Sequence, residues 1–228
     1  MQFLRENQEA AEKAIASAIC SALSEGKRVL WLTSGGSNVA PEVTIMQQVS
    51  EQCGDRLEGL AIMPMDERFG APGHENSNTE ALRKAGFEPG AATWVDVLVH
   101  NQPFAETVSF YGDVAATVLA NAQVVIGQFG LGNDAHVAGI LPGSPATAPG
   151  SATVVGYEWN DYTRMTLSVE ALKQITSAYV VAYGESKKDA LTRLIRGDEA
   201  FEHLPAKLLY ELPEVVIYND QIESEGDS

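Results

Sequence analysis

The chain is short of positive charge. Against 31 Asp and Glu it sets only 15 Lys and Arg in 228 residues, a formal net charge of −16. That balance argues against general binding to nucleic acid or to an anionic membrane, whose phosphates it would repel. If the ligand is itself an anion, the few cations must gather around it locally. Cysteine is nearly missing as well, with only Cys20 and Cys53 present. Cys20 lies in an alanine-rich helical stretch and reads as a buried free thiol rather than half of a disulfide, which fits a reducing cytosol. No apolar run approaches the roughly 20 residues needed to span a bilayer. The opening MQFLRENQEAAEKAIA carries charges throughout and lacks the apolar centre of a signal peptide. A cytoplasmic location is therefore expected. Only four histidines occur, and no second His/Cys cluster with ligand spacing accompanies them, so neither a metal nor a cofactor is expected.

With 45% hydrophobic residues the chain can bury a sizeable core. Nothing in its composition divides it, and residues 1–220 are read as a single α/β domain, with 221–228 as an acidic, disordered tail. Residues 6–24 place Ala11, Ala14, Ile15, Ala18, Ile19 and Ala22 on one side of a helix. Short apolar strands are expected at 28–33 (RVLWLT), 60–65 (LAIMPM), 122–129 (AQVVIGQF), 153–155, 164–167, 178–183 (AYVVAY) and 215–218, with a further one at 94–99. Helices are expected at about 41–52, 79–85, 104–120 and from GESKKDA to about 196. This alternation implies a largely parallel sheet covered on both faces. No internal repeat or low-complexity linker interrupts it.

Three polar loops follow strand ends: SGGSN (34–38), DER (66–68) and GLGNDAH (130–136). Ligands of open parallel sheets bind at that edge. The paired glycines Gly35 and Gly36 let backbone N–H groups turn toward an anion, with the hydroxyls of Ser34 and Ser37 as further donors. The same segment also serves as a tight strand–helix turn, and it is no Walker A loop, for GK[ST] is missing. Arg68 is either a solvated surface cation or an anion contact whose guanidinium is held by a neighbouring carboxylate. Asp134 and His136, at i and i+2, suit a carboxylate that orients an imidazole general base. Arg164 and Lys187 read singly as surface cations; together with the glycine loop they would neutralise a phosphate dianion. No Ser lies in G-x-S-x-G. GLGNDA matches a loose dinucleotide fingerprint, but Pro142 and Pro145 interrupt any helix after it.

Taken in order, TSGGS (33–37), MDERF (65–69), SN and LR (77–78 and 82–83), GLGNDAHVAGILPGSPA (130–146), RMTLS (164–168), GESKKDAL (184–191) and LPAKLL (204–209) resemble the lactonase branch of the glucosamine-6-phosphate isomerase/6-phosphogluconolactonase family. The resemblance implies a three-layer α/β/α fold with a mostly parallel sheet, related to ribose-5-phosphate isomerase. It implies a metal-independent esterase acting on a phosphorylated sugar lactone, as a monomer or homodimer. His136 would be the general base and Asp134 its neighbour. Ser34, Gly35, Gly36, Arg164 and Lys187 would contact phosphate and sugar, and Arg68 would line the same pocket. The chain departs from the family pattern at Ala135, where a Gly is usual, at Asn38-Val39, and at Ala138-Gly139-Ile140-Leu141-Pro142. If position 135 needs a positive φ, alanine strains that turn. Two rivals remain. An isomerase/deaminase would carry a Glu five residues after the motif His, where this chain has Leu141. A non-catalytic sugar-phosphate sensor would need the same pocket without its chemistry.

Overall fold

The computed structural model describes residues 1–223. Ten strands and six α-helices follow in order: β1 (Gln2–Leu4), α1 (Gln8–Ser24), β2 (Val29–Thr33), α2 (Val39–Cys53), β3 (Leu60–Pro64), β4 (Asp66–Arg68), α3 (Asn78–Lys84), β5 (Thr93–Trp94), α4 (Phe104–Asn121), β6 (Val124–Gly130), β7 (Val154–Glu158), β8 (Thr163–Leu167), α5 (Val169–Leu172), β9 (Ser177–Ala182), α6 (Lys188–Arg196) and β10 (Val215–Asn219). Seven strands form one parallel sheet in the order β1-β10-β9-β6-β2-β3-β5. The other three form a small antiparallel sheet, β4-β8-β7.

The expected parallel sheet with helices on both faces is present, and its strands show why they were legible. Side chains alternate across a strand, and a sheet covered twice needs apolar residues on both faces. In β2, Leu30 and Leu32 enter the core packed with α4 and α6, while Val29 and Trp31 enter the core beneath α1 and α2. Trp31 is fully buried there. Asn7 caps α1 by accepting from Ala10 N at 2.9 Å, which satisfies one of the donors a helix start leaves open.

Three expectations change. The strand read at 94–99 shrinks to Thr93–Trp94, paired to β3. The segment DER, read as a loop, is strand β4, because its backbone pairs with β8 nearly a hundred residues later. The third concerns cysteine. Cys20 of α1 and Cys53 of α2 are joined in a disulfide with their Cα atoms 5.9 Å apart, inside the range that a bridge requires. The free-thiol reading fails because α1 packs along α2, a contact that a 33-residue sequence separation conceals. Of the tail, Gln221 and Ile222 donate their backbone N–H groups to Asn219 Oδ1, and residues 224–228 lie outside the described residues. Among the described residues no helix is long and apolar enough to cross a membrane.

The chain leaves β2 toward β3 on one side and later fills the other side with β6. Strand order therefore reverses between β2 and β6, and a crevice opens at their carboxyl ends. The SGGS loop leaves β2 there, and GLGNDAH leaves β6 beside it. In the latter loop Ala135 has φ 67° and Ala138 φ 49°. A left-handed alanine costs about 1–2 kcal/mol. Glycine would relieve that, but would give up a buried methyl of about 0.8 kcal/mol and about 0.5–1 kcal/mol of chain entropy. The terms nearly cancel, which is how this fully buried alanine can stand where a glycine is usual.

Two measurements follow. Peptide mapping without reductant should recover the Cys20 and Cys53 peptides linked, and Cys53→Ser should cost about 3 kcal/mol; two titratable thiols in the freshly unfolded chain would contradict the bridge. Ala135→Gly should shift the melting temperature by less than about 4 °C in either direction; a larger gain would mean that strain dominates this turn.

Candidate functional site

The crevice between β2 and β6 is a cleft of about 480 Å³, lined by Ser34, Gly35, Gly36, Ser37, Asp66, Arg68, Asn78, Gly130, Leu131, Gly132, Asn133, Asp134, His136, Ala138, Arg164 and Lys187. Every site residue expected from the sequence lies on its wall. They come from five separate stretches: the loops after β2, β6 and β9 of the large sheet, and Arg68 and Arg164, which face each other where β4 ends and β8 begins in the small sheet.

The loop after β6 holds Asp134 and His136 in direct contact. Asp134 Oδ1 lies 2.6 Å from His136 Nδ1 and accepts the His136 backbone N–H at 3.2 Å. That leaves Nε2 as the nitrogen without a partner in the loop. A Cβ at Gly132 would collide with the imidazole and the carboxylate, so glycine is needed for the close approach. The turn is pinned from outside by Arg193 Nη1 on Asp134 O at 3.3 Å and by Ala206 N on Ala135 O at 3.0 Å. Burial alone would raise the Asp134 carboxyl. The His136 hydrogen bonds and the imidazolium charge outweigh it and hold the group at about 2. Asp134 is thus ionised at neutral pH.

On the opposite wall β4 and β8 place Arg68 and Arg164 directly across from each other. Like charges at such a position repel. The pair is tolerated because both guanidiniums stack on the Tyr162 ring, 5.5 and 5.4 Å from its centroid. Arg68 also donates to Asn78 Oδ1 at 2.5 Å and Asn76 O at 3.3 Å, and Arg164 donates to Asp161 at 2.8 Å. Among the described residues the Nε atoms of both arginines are buried and unpartnered. A third cation, Lys187, precedes α6. Burial pulls its ammonium below the usual lysine value, and Asp134 pulls it back up.

Two further cleft residues lie outside the expected set: Asn78, whose sequence setting points to no site role, and Asp66, which the sequence offers only as the carboxylate an isomerase would need. Asn78, at the start of α3, bridges Arg68 and the Asp66 backbone carbonyl, to which it donates at 2.9 Å. Its signal was the Ser77 cap: Ser77 Oγ accepts from Glu80 N at 3.1 Å and starts the helix there. Asp66 is the second. Burial pushes its carboxyl up, while Arg68, Arg164 and His136 pull it down without prevailing. Of the DER segment, Glu67 points away from the cleft. No group of three or more His, Cys, Asp or Glu placed to hold a metal ion occurs among the described residues.

Known proteins share this architecture. A 6-phosphogluconolactonase of Synechocystis is 23% identical over 231 residues, covering 93% of this chain and 90% of its own. A glucosamine-6-phosphate deaminase of Lactobacillus johnsonii is also 23% identical, over 245 residues, covering 96% and 93%. The crystal structure of a 6-phosphogluconolactonase from Shewanella baltica superposes with a TM-score of 0.73 at 22% identity, covering 96% of this chain and 95% of that one. Residues 5–217 match the model of the family described as glucosamine-6-phosphate isomerases/6-phosphogluconolactonase. The chain belongs to that family.

Proposed function

We propose that the protein hydrolyses 6-phospho-D-glucono-1,5-lactone to 6-phosphogluconate, the lactone-opening step of the oxidative pentose phosphate pathway. The observation that carries this reading is the Asp134–His136 pair, 2.6 Å apart on the wall of a cleft whose other walls hold Arg68, Arg164, Lys187 and the SGGS loop. A δ-lactone is already an activated ester. The protein has to bind it, activate one water and steady a tetrahedral oxyanion.

In this reading His136 Nε2 takes a proton from water as the water oxygen bonds to C1. The carbonyl electrons move onto oxygen, and Asp134 stabilises the imidazolium that forms. The intermediate then collapses. The bond between C1 and the ring oxygen breaks, and the imidazolium returns its proton to that oxygen. Gly35, Gly36, Ser37 and the start of α2 face the phosphate with Lys187, and Ser34 shapes that loop. Binding so far from C1 orients the reacting carbon. Arg68 and Arg164, with their free Nε donors, face the polar sugar end. No metal or cofactor enters the scheme. The single-domain reading of residues 1–220 is kept, with action in the cytoplasm on one small phosphorylated ligand. A monomer or a homodimer is the assembly expected for the protein.

Isomerisation with deamination of an amino-sugar phosphate is the second reading. Asp66 on the cleft wall favours it, because that chemistry needs a carboxylate at the substrate carbon. Against it stands Leu141, which is buried and apolar where that branch carries a Glu.

His136→Ala should lower kcat for the lactone by about 10²–10⁴-fold while 6-phosphogluconate still binds. Full turnover in that variant would remove His136 as the base. Asp134→Asn should slow turnover by roughly tenfold or more with KM nearly kept, since the imidazole loses the carboxylate that orients Nε2 and stabilises the imidazolium formed in the transition state. An unchanged kcat would show that Asp134 does not act on the base. Consumption of glucosamine 6-phosphate but not of the lactone would replace this reading with the second one. Binding of 6-phosphogluconate without any turnover would make the protein a sensor.

A further inference from the structure

Behind the SGGS loop lies a carboxyl group that the scheme above leaves unused. Glu42, in the first turn of α2, is fully buried. Its Oε1 accepts the backbone N–H of Ser34 at 2.7 Å and the Ser34 hydroxyl at 3.2 Å. Among the described residues its Oε2 has no partner, nor do the side-chain amide atoms of Asn38, which is also fully buried one turn earlier. Ser34 thus directs its backbone N–H and its hydroxyl inward to Glu42, which corrects the expectation that its hydroxyl donates to the ligand. Ser34 still borders the cleft, and the donors this loop turns toward it are those of Gly35, Gly36 and Ser37.

We propose that Glu42 is a positioning residue of the phosphate-binding loop: its buried Oε1 ties Ser34 to α2, so that the loop keeps the shape that faces a bound phosphate monoester. The proposal rests on reading this end of the cleft as a phosphate site. A loop rich in glycine loses much chain entropy when it is ordered, and two hydrogen bonds to a fully buried acceptor offset part of that loss. The acceptor must stay neutral. An ionised carboxylate in the first turn of α2 would cancel the positive helix end that a phosphate would face.

The surroundings favour the neutral form. Burial pushes the Glu42 carboxyl up to about 8 against the pull of the two Ser34 hydrogen bonds, and the charge of Asp66 on β4 adds to the rise. The other elements packed on α2 bring little charge toward it. The buried face of α3 is Asn78, Thr79 and Leu82, and that of α1 holds one carboxylate, Glu12, otherwise lined by Ala, Ile and Leu. Strand β2 carries no ionisable group.

The test compares Kd values for inorganic phosphate and for 6-phosphogluconate, by calorimetry at pH 7 to 9, in the wild type, Glu42→Gln and Glu42→Leu. Glutamine keeps the Oε1 acceptor and cannot ionise; leucine removes the acceptor. Wild type and Glu42→Gln should agree at pH 7. Toward pH 9 the wild type should weaken roughly tenfold more than Glu42→Gln, as the charge on Glu42 appears near the ligand. Titration of the ligand and of Lys187 is common to both proteins and drops out. Glu42→Leu should raise both Kd values, and KM for the lactone, about tenfold at pH 7 with kcat nearly kept. Superimposable pH profiles for wild type and Glu42→Gln would overturn the proposal even if Glu42→Leu fails to fold, and so would a Glu42→Leu protein that binds like wild type. A wild type that binds neither ligand would overturn both this proposal and the phosphate site. A wild type that binds both but leaves the lactone intact would remove the lactonase alone.

Discussion

The carboxylate of Glu67 accepts hydrogen bonds from Asn78 N at 2.7 Å, Arg68 N at 2.8 Å, Ser77 Oγ at 2.9 Å and Thr79 N at 3.0 Å. It is fully buried and does not face the cleft, yet one whole wall depends on it. Three of its donors belong to the start of α3, where N–H groups would otherwise be unsatisfied. The fourth belongs to the strand that carries Arg68. Glu67 therefore fixes the distance between β4 and α3, and with it the contact of Arg68 with Asn78. Burial pushes its carboxyl up and the four donors work against that rise. Removing one partner of so enclosed a group leaves the rest unpaired, a cost of several kcal/mol. The small sheet is tied to the large one just before this point: Met65 donates to Thr33 O at 2.7 Å and accepts from Leu167 N at 2.8 Å.

That frame explains how a chain of net charge −16 presents a cationic cleft. Three of its 15 cations, Arg68, Arg164 and Lys187, meet there. Two are held on a shared aromatic ring and by hydrogen bonds, Arg68 to Asn78 and Asn76 and Arg164 to Asp161, not by a surrounding positive field. The acidic surface repels anions at long range, but screening confines that repulsion to about 8–10 Å at moderate salt. Within the cleft, short-range hydrogen bonds decide. Recognition of a phosphorylated sugar should therefore rest on geometry rather than on electrostatic steering.

Features carried by neighbouring residues were legible in the sequence, and features created by distant pairing were not. VLWLT and VVIGQFG announce buried strands because a doubly covered parallel strand needs an apolar run. Asp134 and His136 could be paired in advance because a single residue, Ala135, separates them and glycines surround them. Strand β4 gave no such sign: three charged residues form a strand only because Thr163–Leu167 lies alongside. Asn78 lies one residue before the helix expected at 79–85, and its place in the cleft depends on Arg68 and Asp66 ten and twelve residues earlier. Cys20 and Cys53 meet through helix packing, which no local pattern encodes. Glu42 reads as a surface residue of a helix's first turn until the loop before that helix is seen to fold back over it.

The two chemistries open to this family make opposite demands on Asp66. Removing a proton from carbon requires an ionised carboxylate beside the substrate. Opening a lactone requires none there. Burial already raises Asp66, against the pull of Arg68, Arg164 and His136. A phosphate dianion entering the cleft would engage some of those cations and add negative charge of its own, and both effects push Asp66 further toward the neutral acid. A carboxyl biased in that direction is poorly suited to take a proton from carbon. Asp134 moves the other way, ionised beside the one imidazole on the cleft wall. Two carboxyl groups facing one cleft are thus shifted in opposite directions, Asp66 up and Asp134 down. On the proposed reading, with His136 as the base, that is the distribution that water attack on a carbonyl would use.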